Sequence, residues 1–476
     1  MSIINQAKHA FKWTLYLRGM SQVLTWLISL LVIRFLTPAD YGIVALTEII
    51  FMLVTLLCSA GLGDVIIQRA ELNERFNRQV LNLLILFTAV LCSSLFWLAP
   101  ILAAFYQQPD LTFVLQLSSV VFLCLPWLVL ASSLLAKQLN FKTRGQIDLT
   151  AAVTTALLSL LLAYQGFGFW ALIISNLLNI LLRTIGYNWS LGRFYMPVFD
   201  LTGMRAPLKF GLTVAATSLL FGLFMKIDVL VIAKQMDAAT LGFYALAMHL
   251  ALLPMTKLMP LVNEVAYPMY AAIKKDPAEY QRVFAAMLRL ISFVVFPVFF
   301  IFSAVCYELV GLLLGSQWLP AVVALKIIAL TIPFRIISNL FSPLLKALGF
   351  PQTGLQHVSF SCVVVGLCFY YAAPYGLLGL AYAWLIVTPL ILLFALFLST
   401  KRAGISIQLV FGAMLKPVLF AGCSWVCVQQ SAHWLPETWP TVVLLCIKLC
   451  LAVSCYLVLS WFFNRSQLLE VAKFRL

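Results

Sequence analysis

Apolar runs of about twenty residues recur from one end of the chain to the other, separated by short segments in which Lys, Arg, Pro and Gly gather. An α-helix of that length crosses the ~30 Å hydrocarbon layer of a bilayer. Within that layer no water can satisfy a backbone amide, so a spanning segment must close its own hydrogen bonds, as a helix does. The pattern predicts an all-α polytopic membrane protein with about 14 transmembrane helices. They fall near residues 13–36, 41–62, 80–104, 111–135, 147–165, 168–188, 208–234, 241–262, 284–306, 320–344, 354–373, 377–399, 410–430 and 441–463.

One stretch occurs twice. Val32-Ile-Arg-Phe-Leu-Thr-Pro-Ala-Asp-Tyr-Gly-Ile-Val-Ala-Leu46 is echoed by Val231-Ile-Ala-Lys-Gln-Met-Asp-Ala-Ala-Thr-Leu-Gly-Phe-Tyr-Ala-Leu246, with one residue gained in the turn. Gly42, Ala45 and Leu46 thus match Gly242, Ala245 and Leu246. Further echoes keep the same order. Leu134 to Thr143 matches Leu344 to Thr353, and Gly166 to Leu172 matches Gly376 to Leu385. This is an internal duplication. Each copy holds six predicted helices, an even number, so both copies enter the membrane from the same side. The repeats are expected to be parallel, related by an axis along the membrane normal. The division is an N-terminal six-helix lobe at 1–200, a C-terminal six-helix lobe at 201–400 and two extra helices at 401–476, with Asn188–Lys209 as the linker between lobes.

Charge adds a direction. Of 476 residues, 63% are hydrophobic and 10% charged, with a formal net charge of +15; soluble domains carry roughly 25% charged residues. With the N-terminus inside, the inner loops hold most of the basic residues, among them Lys8, Arg75, Arg78, Lys142, Arg193, Arg205, Lys274, Lys346 and Lys401. The outer side holds little more than Arg34 and Lys234. Both termini are therefore expected in the cytoplasm, and the positive charge needs no nucleic acid to explain it. The first helix is too long, and followed by too many others, to be a cleaved leader.

Several chemistries find no support. The chain lacks a phosphate-binding Gly-rich loop ending in Lys-Ser/Thr and lacks HExxH, and His9, His249, His357 and His433 are scattered. The eleven cysteines lie mostly in apolar runs, unlike a secreted disulfide framework. Cys423, Cys427, Cys446 and Cys450 have a spacing that four thiolates around a metal could use, but cysteine also serves as a small apolar residue in such helices. No cofactor, metal or catalytic residue is assigned, and no enzyme activity.

The informative residues are charges placed where the solvent is lipid. There a Lys, Arg or Asp costs roughly 2.5–3.5 kcal/mol, so such residues face protein or a water-filled cavity. Helix 1 carries Arg18, Gln22, Thr25 and Ser29 on one face, and helix 2 carries Glu48, Thr55 and Ser59. Helix 7 carries Lys226 and Asp228 on opposite sides. Lys257 lies in helix 8, Arg289 in helix 9, and Thr331, Arg335, Ser338 and Ser342 form a stripe on helix 10. Arg18, Arg183 and Lys416 lie near the inner surface, where snorkelling is the alternative; Lys448 snorkels or pairs. An intramembrane ion pair is the competing role for Asp228. Basic residues outnumber acidic ones in the helices, so a central cavity would be positive and suit an anionic substrate.

Leu36-Thr-Pro-Ala-Asp-Tyr-Gly42, Gly61-Leu-Gly-Asp-Val-Ile-Ile-Gln68, Leu139-Asn-Phe-Lys142, Leu314-Gly-Ser-Gln-Trp-Leu-Pro-Ala321 and Leu345-Lys-Ala-Leu-Gly349 resemble bacterial polysaccharide-export (Wzx-like) flippases. These share a superfamily with multidrug exporters and lipid II flippases. The resemblance implies transfer of an undecaprenyl-diphosphate-linked oligosaccharide from the inner to the outer leaflet of the bacterial cytoplasmic membrane, by alternating access. It implies a pyrophosphate contact from Arg18 and ion coupling through Asp228. The intramembrane charges themselves add Lys257, Arg335, Lys226 and Arg289 as expected substrate contacts in the positive cavity, and Glu48 as a second candidate for ion coupling. Ser29 or a neighbour stands where the first half would match Asp228, so coupling is expected to be one-sided. Expected partners are the polyprenyl-diphosphate-linked oligosaccharide, membrane lipid, and glycan polymerase and chain-length machinery. The alternatives are an ion-coupled drug or metabolite antiporter of the same superfamily, or a membrane glycan polymerase or ligase. The first would want an acidic cavity, and the second a sizeable outer loop with catalytic acids.

Overall fold

The computed structural model describes residues 25–463, apart from 60, 69–72, 139, 201, 432–433, 435 and 437. Among these the chain is helical, without strands. The helices are α1 (Thr25–Phe35), α2 (Pro38–Ser59), α3 (Leu62–Gln68), α4 (Glu74–Tyr106), α5 (Asp110–Phe122), α6 (Leu125–Lys137), α7 (Phe141–Tyr164), α8 (Trp170–Ser190), α9 (Arg205–Ile232), α10 (Ala238–Ile273), α11 (Pro277–Leu313), α12 (Leu319–Ala347), α13 (Gln352–Ala372), α14 (Gly376–Ala403), α15 (Ile407–Ser431) and α16 (Thr441–Phe463).

Among the described residues, ten segments are long and apolar enough to cross a membrane, or up to 12 with each bent pair taken as one span. One of the ten, Gln352–Ala403, is the pair α13 and α14, and α1 is a shorter apolar helix; the rest of the first expected span, from residue 13, lies outside the described residues. The set is compatible with the expected fourteen. Two crossings expected to be continuous are bent. α5 and α6 meet at 49°, with Pro126 in the first turn of α6, where its missing N–H breaks the ladder. α9 bends by 42° between Leu220 and Gly222.

The chain forms two compact units, Met1–Gly242 and Phe243–Leu476. In the first, α2 packs along α9, and α4 along α5. Val44, Phe51, Val54 and Cys58 of α2 share an apolar cluster with Leu95 of α4, Phe122 of α5 and Ile173 of α8. In the second, α11 is central and packs on α12, α15 and α16, while α14 covers α12 and α13. α10 contains Pro254, Pro260 and Pro268, each of which removes a hydrogen bond from the helix interior.

The duplicated motif explains how α2 and α10 begin. At α2 the Thr37 N–H and hydroxyl donate to Asp40 (3.0 and 2.6 Å), and the Asp40 N–H donates back to the Thr37 hydroxyl (3.2 Å). At α10 the acid and the hydroxyl have changed places: the Thr240 N–H and hydroxyl donate to Asp237 (3.2 and 2.6 Å). Either order satisfies the free donors of a helix start. In these first turns the two helices touch. A methyl added to Gly42 would lie 2.0 Å from the Ala238 carbonyl oxygen, and one added to Gly242 would lie 1.8 Å from that of Pro38. Pro38 and Ala238 each stand four residues before their own glycine, so the contact is reciprocal, as a duplicated pair meeting itself would be. Only glycine allows backbones this close.

Candidate functional site

In the first unit the intramembrane charges gather between α2 and α9. Glu48 Oε2 lies 3.7 Å from Lys226 Nζ, with side chains 52% and 35% exposed. The register follows from helix periodicity. Glu48, Met52 and Leu56 share a face of α2, and Gly222 and Lys226 share a face of α9. Gly222 makes the approach possible, because a methyl there would meet the Leu56 Cδ1 at 2.7 Å. Lys226 is therefore a paired cation. Asp228 is two residues further along α9 and points elsewhere: it is buried, with 4% exposure.

In the second unit Arg335 of α12 lies against an aromatic wall. Its guanidinium carbon is 4.1 Å from the ring centroid of Trp384, a cation–π distance. Trp384 in turn donates its Nε1–H to the Tyr244 hydroxyl at 2.9 Å, and Phe369 packs edge-on against both rings. Ser338, one turn along from Arg335, lies 3.2 Å from His357 Nε2. Thr331 is buried and donates to the carbonyl of Ile328. Part of the expected polar stripe therefore faces this unit's own core. Arg289 lies half-buried on α11. Lys257 lies on α10 between Pro254 and Pro260; its side chain, like all of Arg18, is outside the described residues. Glu48, Lys226 and Asp228 are thus brought to one pair of helices, and Arg335 and Arg289 to neighbouring α12 and α11.

Two further ion pairs draw on acids that sequence reasoning passed over. Lys448 of α16 pairs with Glu308 of α11, the side chains only 12% and 7% exposed. This pair holds the last helix to the centre of its unit. Arg183 of α8 pairs with Asp148 of α7 at 2.9 Å, and Tyr187 donates to the same carboxylate. Both acids sit within a few turns of a helix end, where a charge reads as belonging to a loop. These pairs, with Glu48–Lys226, cancel part of the basic excess counted along the helices. Among the cysteines, Cys427 has its sulfur 3.8 Å from that of Cys455, and no cluster of potential metal ligands occurs among the described residues.

The model of a family described as "Polysaccharide biosynthesis protein" matches residues 31–323. The teichuronic acid biosynthesis protein TuaB of Bacillus subtilis (strain 168) is 28% identical over 364 residues, 75% of each chain. The lipopolysaccharide biosynthesis protein WzxC of Escherichia coli (strain K12) is 25% identical over 320 residues, 66% of this chain and 64% of that one. Among solved structures, the lipid II flippase MurJ in an inward closed conformation superposes with a TM-score of 0.78 at 16% identity, over 96% of this chain and 99% of the other. That likeness establishes a shared fold.

Proposed function

Since the chain belongs to the polysaccharide biosynthesis protein family, we propose that it is a flippase for an undecaprenyl-diphosphate-linked oligosaccharide repeat unit. It carries that unit from the inner to the outer leaflet of the bacterial cytoplasmic membrane. The observation that carries this reading is a family match over most of the first 323 residues on a helical membrane fold shared with a lipid flippase. A pyrophosphate bearing sugars cannot cross ~30 Å of hydrocarbon unaided. It needs a wet, positive path, with the polyprenyl tail left in lipid. No bond of the substrate is made or broken, so the protein is not an enzyme.

In this reading the lobes at 1–200 and 201–400 alternate access, with 401–476 beside them and both termini in the cytoplasm. Arg18, Lys226, Lys257, Arg289 and Arg335 supply positive charge to the pyrophosphate, and Asp228 and Glu48 serve ion coupling. The half-exposed Glu48–Lys226 pair adds a step: the incoming anion competes with Glu48 for Lys226. With this sidedness the Gly42–Gly242 crossing lies at the outer ends of α2 and α10, where it must part for outward opening. The test is the lipid-linked oligosaccharide profile of a deletion strain. The expected result is an undecaprenyl-linked unit that accumulates on the inner leaflet, with loss of the matching surface glycan. Failure to form the precursor, or failure to polymerise exported units, favours an enzyme and overturns the proposal.

A further inference from the structure

The connection between α8 and α9 is a non-helical strap pinned to the helices of the first unit. Residues 193–200 form neither helix nor strand, and two of their carbonyls accept hydrogen bonds from α4 and α6. Trp127 donates to the Tyr195 carbonyl at 3.1 Å and Arg78 to that of Met196 at 3.0 Å. Just beyond, the Gln79 amide donates to the Thr202 carbonyl at 3.3 Å. Asp200 receives the Arg75 Nε–H at 3.2 Å, Arg193 stands 3.8 Å from Glu74, and Tyr195 packs on the apolar cluster of α3, α4 and α6. With its polar edge turned inward, the strap turns large apolar side chains outward: Phe194, Met196 and Phe199 are 56%, 66% and 86% exposed. Exposed apolar residues grouped this way mark a surface that meets something.

What it meets follows from its place and its charge. One candidate span ends at Ser190 and the next begins at Arg205, so the strap lies at a membrane surface. Arg75 and Arg193 remain mostly exposed despite their partners, and Arg205 and Lys209 are exposed at the start of α9. Apolar side chains flanked by cations suit the headgroup–acyl boundary of an anionic leaflet.

We propose that the 193–200 strap is a lipid-binding surface: Phe194, Met196 and Phe199 enter the bilayer interface while Arg193, Arg205 and Lys209 hold anionic phospholipid headgroups. The proposal concerns bulk lipid and stands apart from the identity of the transported substrate. Through its pins the strap ties leaflet composition to the starts of α4 and α9.

The test places the whole protein in nanodiscs of phosphatidylcholine, with or without about 30% phosphatidylglycerol. Amide hydrogen exchange is followed on the strap peptide. Phosphatidylglycerol should slow exchange there by about threefold or more, and salt near ~0.5 M should weaken the effect. Phe194→Ser/Met196→Ser/Phe199→Ser should abolish the slowing, and Arg193→Gln/Arg205→Gln should reduce it by at least about half. If the apolar variant does not fold, the arginine variant, which keeps the apolar surface, still decides. Exchange insensitive to phosphatidylglycerol in the wild type, or slowing retained in the arginine variant, overturns the proposal. Protection in native membranes but in neither nanodisc means that a protein covers the strap, and overturns it too.

Discussion

Adding one methyl to Gly242 or Gly42 should shift the conformational balance of the transporter. The new carbon at Gly242 would lie 1.8 Å from the Pro38 carbonyl oxygen. A carbon–oxygen contact needs ~3.3 Å, so the two helices must part by about 1.5 Å. The obstacle is backbone in a helix's first turn and has no rotamer to escape into. Overpacking of this kind costs about 1–3 kcal/mol, and the helix-forming advantage of Ala over Gly cancels because both helices stay helical in either conformation. A net bias of about 2 kcal/mol changes a two-state ratio by roughly 30-fold. The assay pairs glycan export and membrane abundance with labelling of a His249→Cys reporter, free of native cysteines, by an impermeant maleimide added outside. Gly42→Ala and Gly242→Ala should each raise outer labelling and lower export about tenfold at near-normal abundance. Gly412→Ala, where an added methyl meets open space, should do neither. If the paired-glycine variants label and export like Gly412→Ala, the crossing is not the contact that closes the outer side.

Three further outcomes follow from the charges. Glu308→Gln leaves Lys448 buried without its counter-ion and should lower stability by about 3–5 kcal/mol, read as a fall in Tm and abundance. Glu308→Gln/Lys448→Met should recover most of the loss, and no recovery would mean the pair is incidental. At the strap, the hydrogen bond from the Thr202 hydroxyl and the nearby Arg75 hold the Asp200 carboxyl well below its ordinary value. A depressed carboxylate stabilises fully above that ordinary value of ~3.9, and the contribution is lost as pH falls. Protease cleavage at the strap should therefore rise on acidification below pH ~4, and Asp200→Asn should raise cleavage at neutral pH and flatten the pH response. Finally, Lys226→Gln should impair export with little loss of abundance, because a half-exposed pair contributes only ~1 kcal/mol or less to stability. Loss of abundance in proportion to export would make the pair structural.

The parts of this fold legible in the sequence are those set by local chemistry. Apolar run length announces the spans, and the repeated Gly-x-x-Ala-Leu motif marks two equivalent helix starts. The caps formed by Thr37 with Asp40 and by Asp237 with Thr240 could be read from spacing alone. That Gly42 and Gly242 face one another could not be read, because periodicity gives the face of a helix and not its neighbour. The same limit hid Glu308 and Asp148. The sequence shows a basic residue in lipid but not which distant helix brings its acid, so the basic excess along the helices overstates the unpaired positive charge. The bend between α5 and α6 was legible in principle at Pro126, but a long apolar run masked it.

The most direct measurement is flipping by the purified protein. Liposomes are loaded with undecaprenyl-diphosphate-linked oligosaccharide in both leaflets, and an impermeant glycan-modifying reagent is added outside. Without protein the reagent should reach about half of the glycan, and with protein nearly all of it, in intact vesicles and with the unreacted substrate chemically unchanged. A reachable fraction that stays at half with folded protein present would contradict the account, as would conversion of the lipid-linked glycan into a different product.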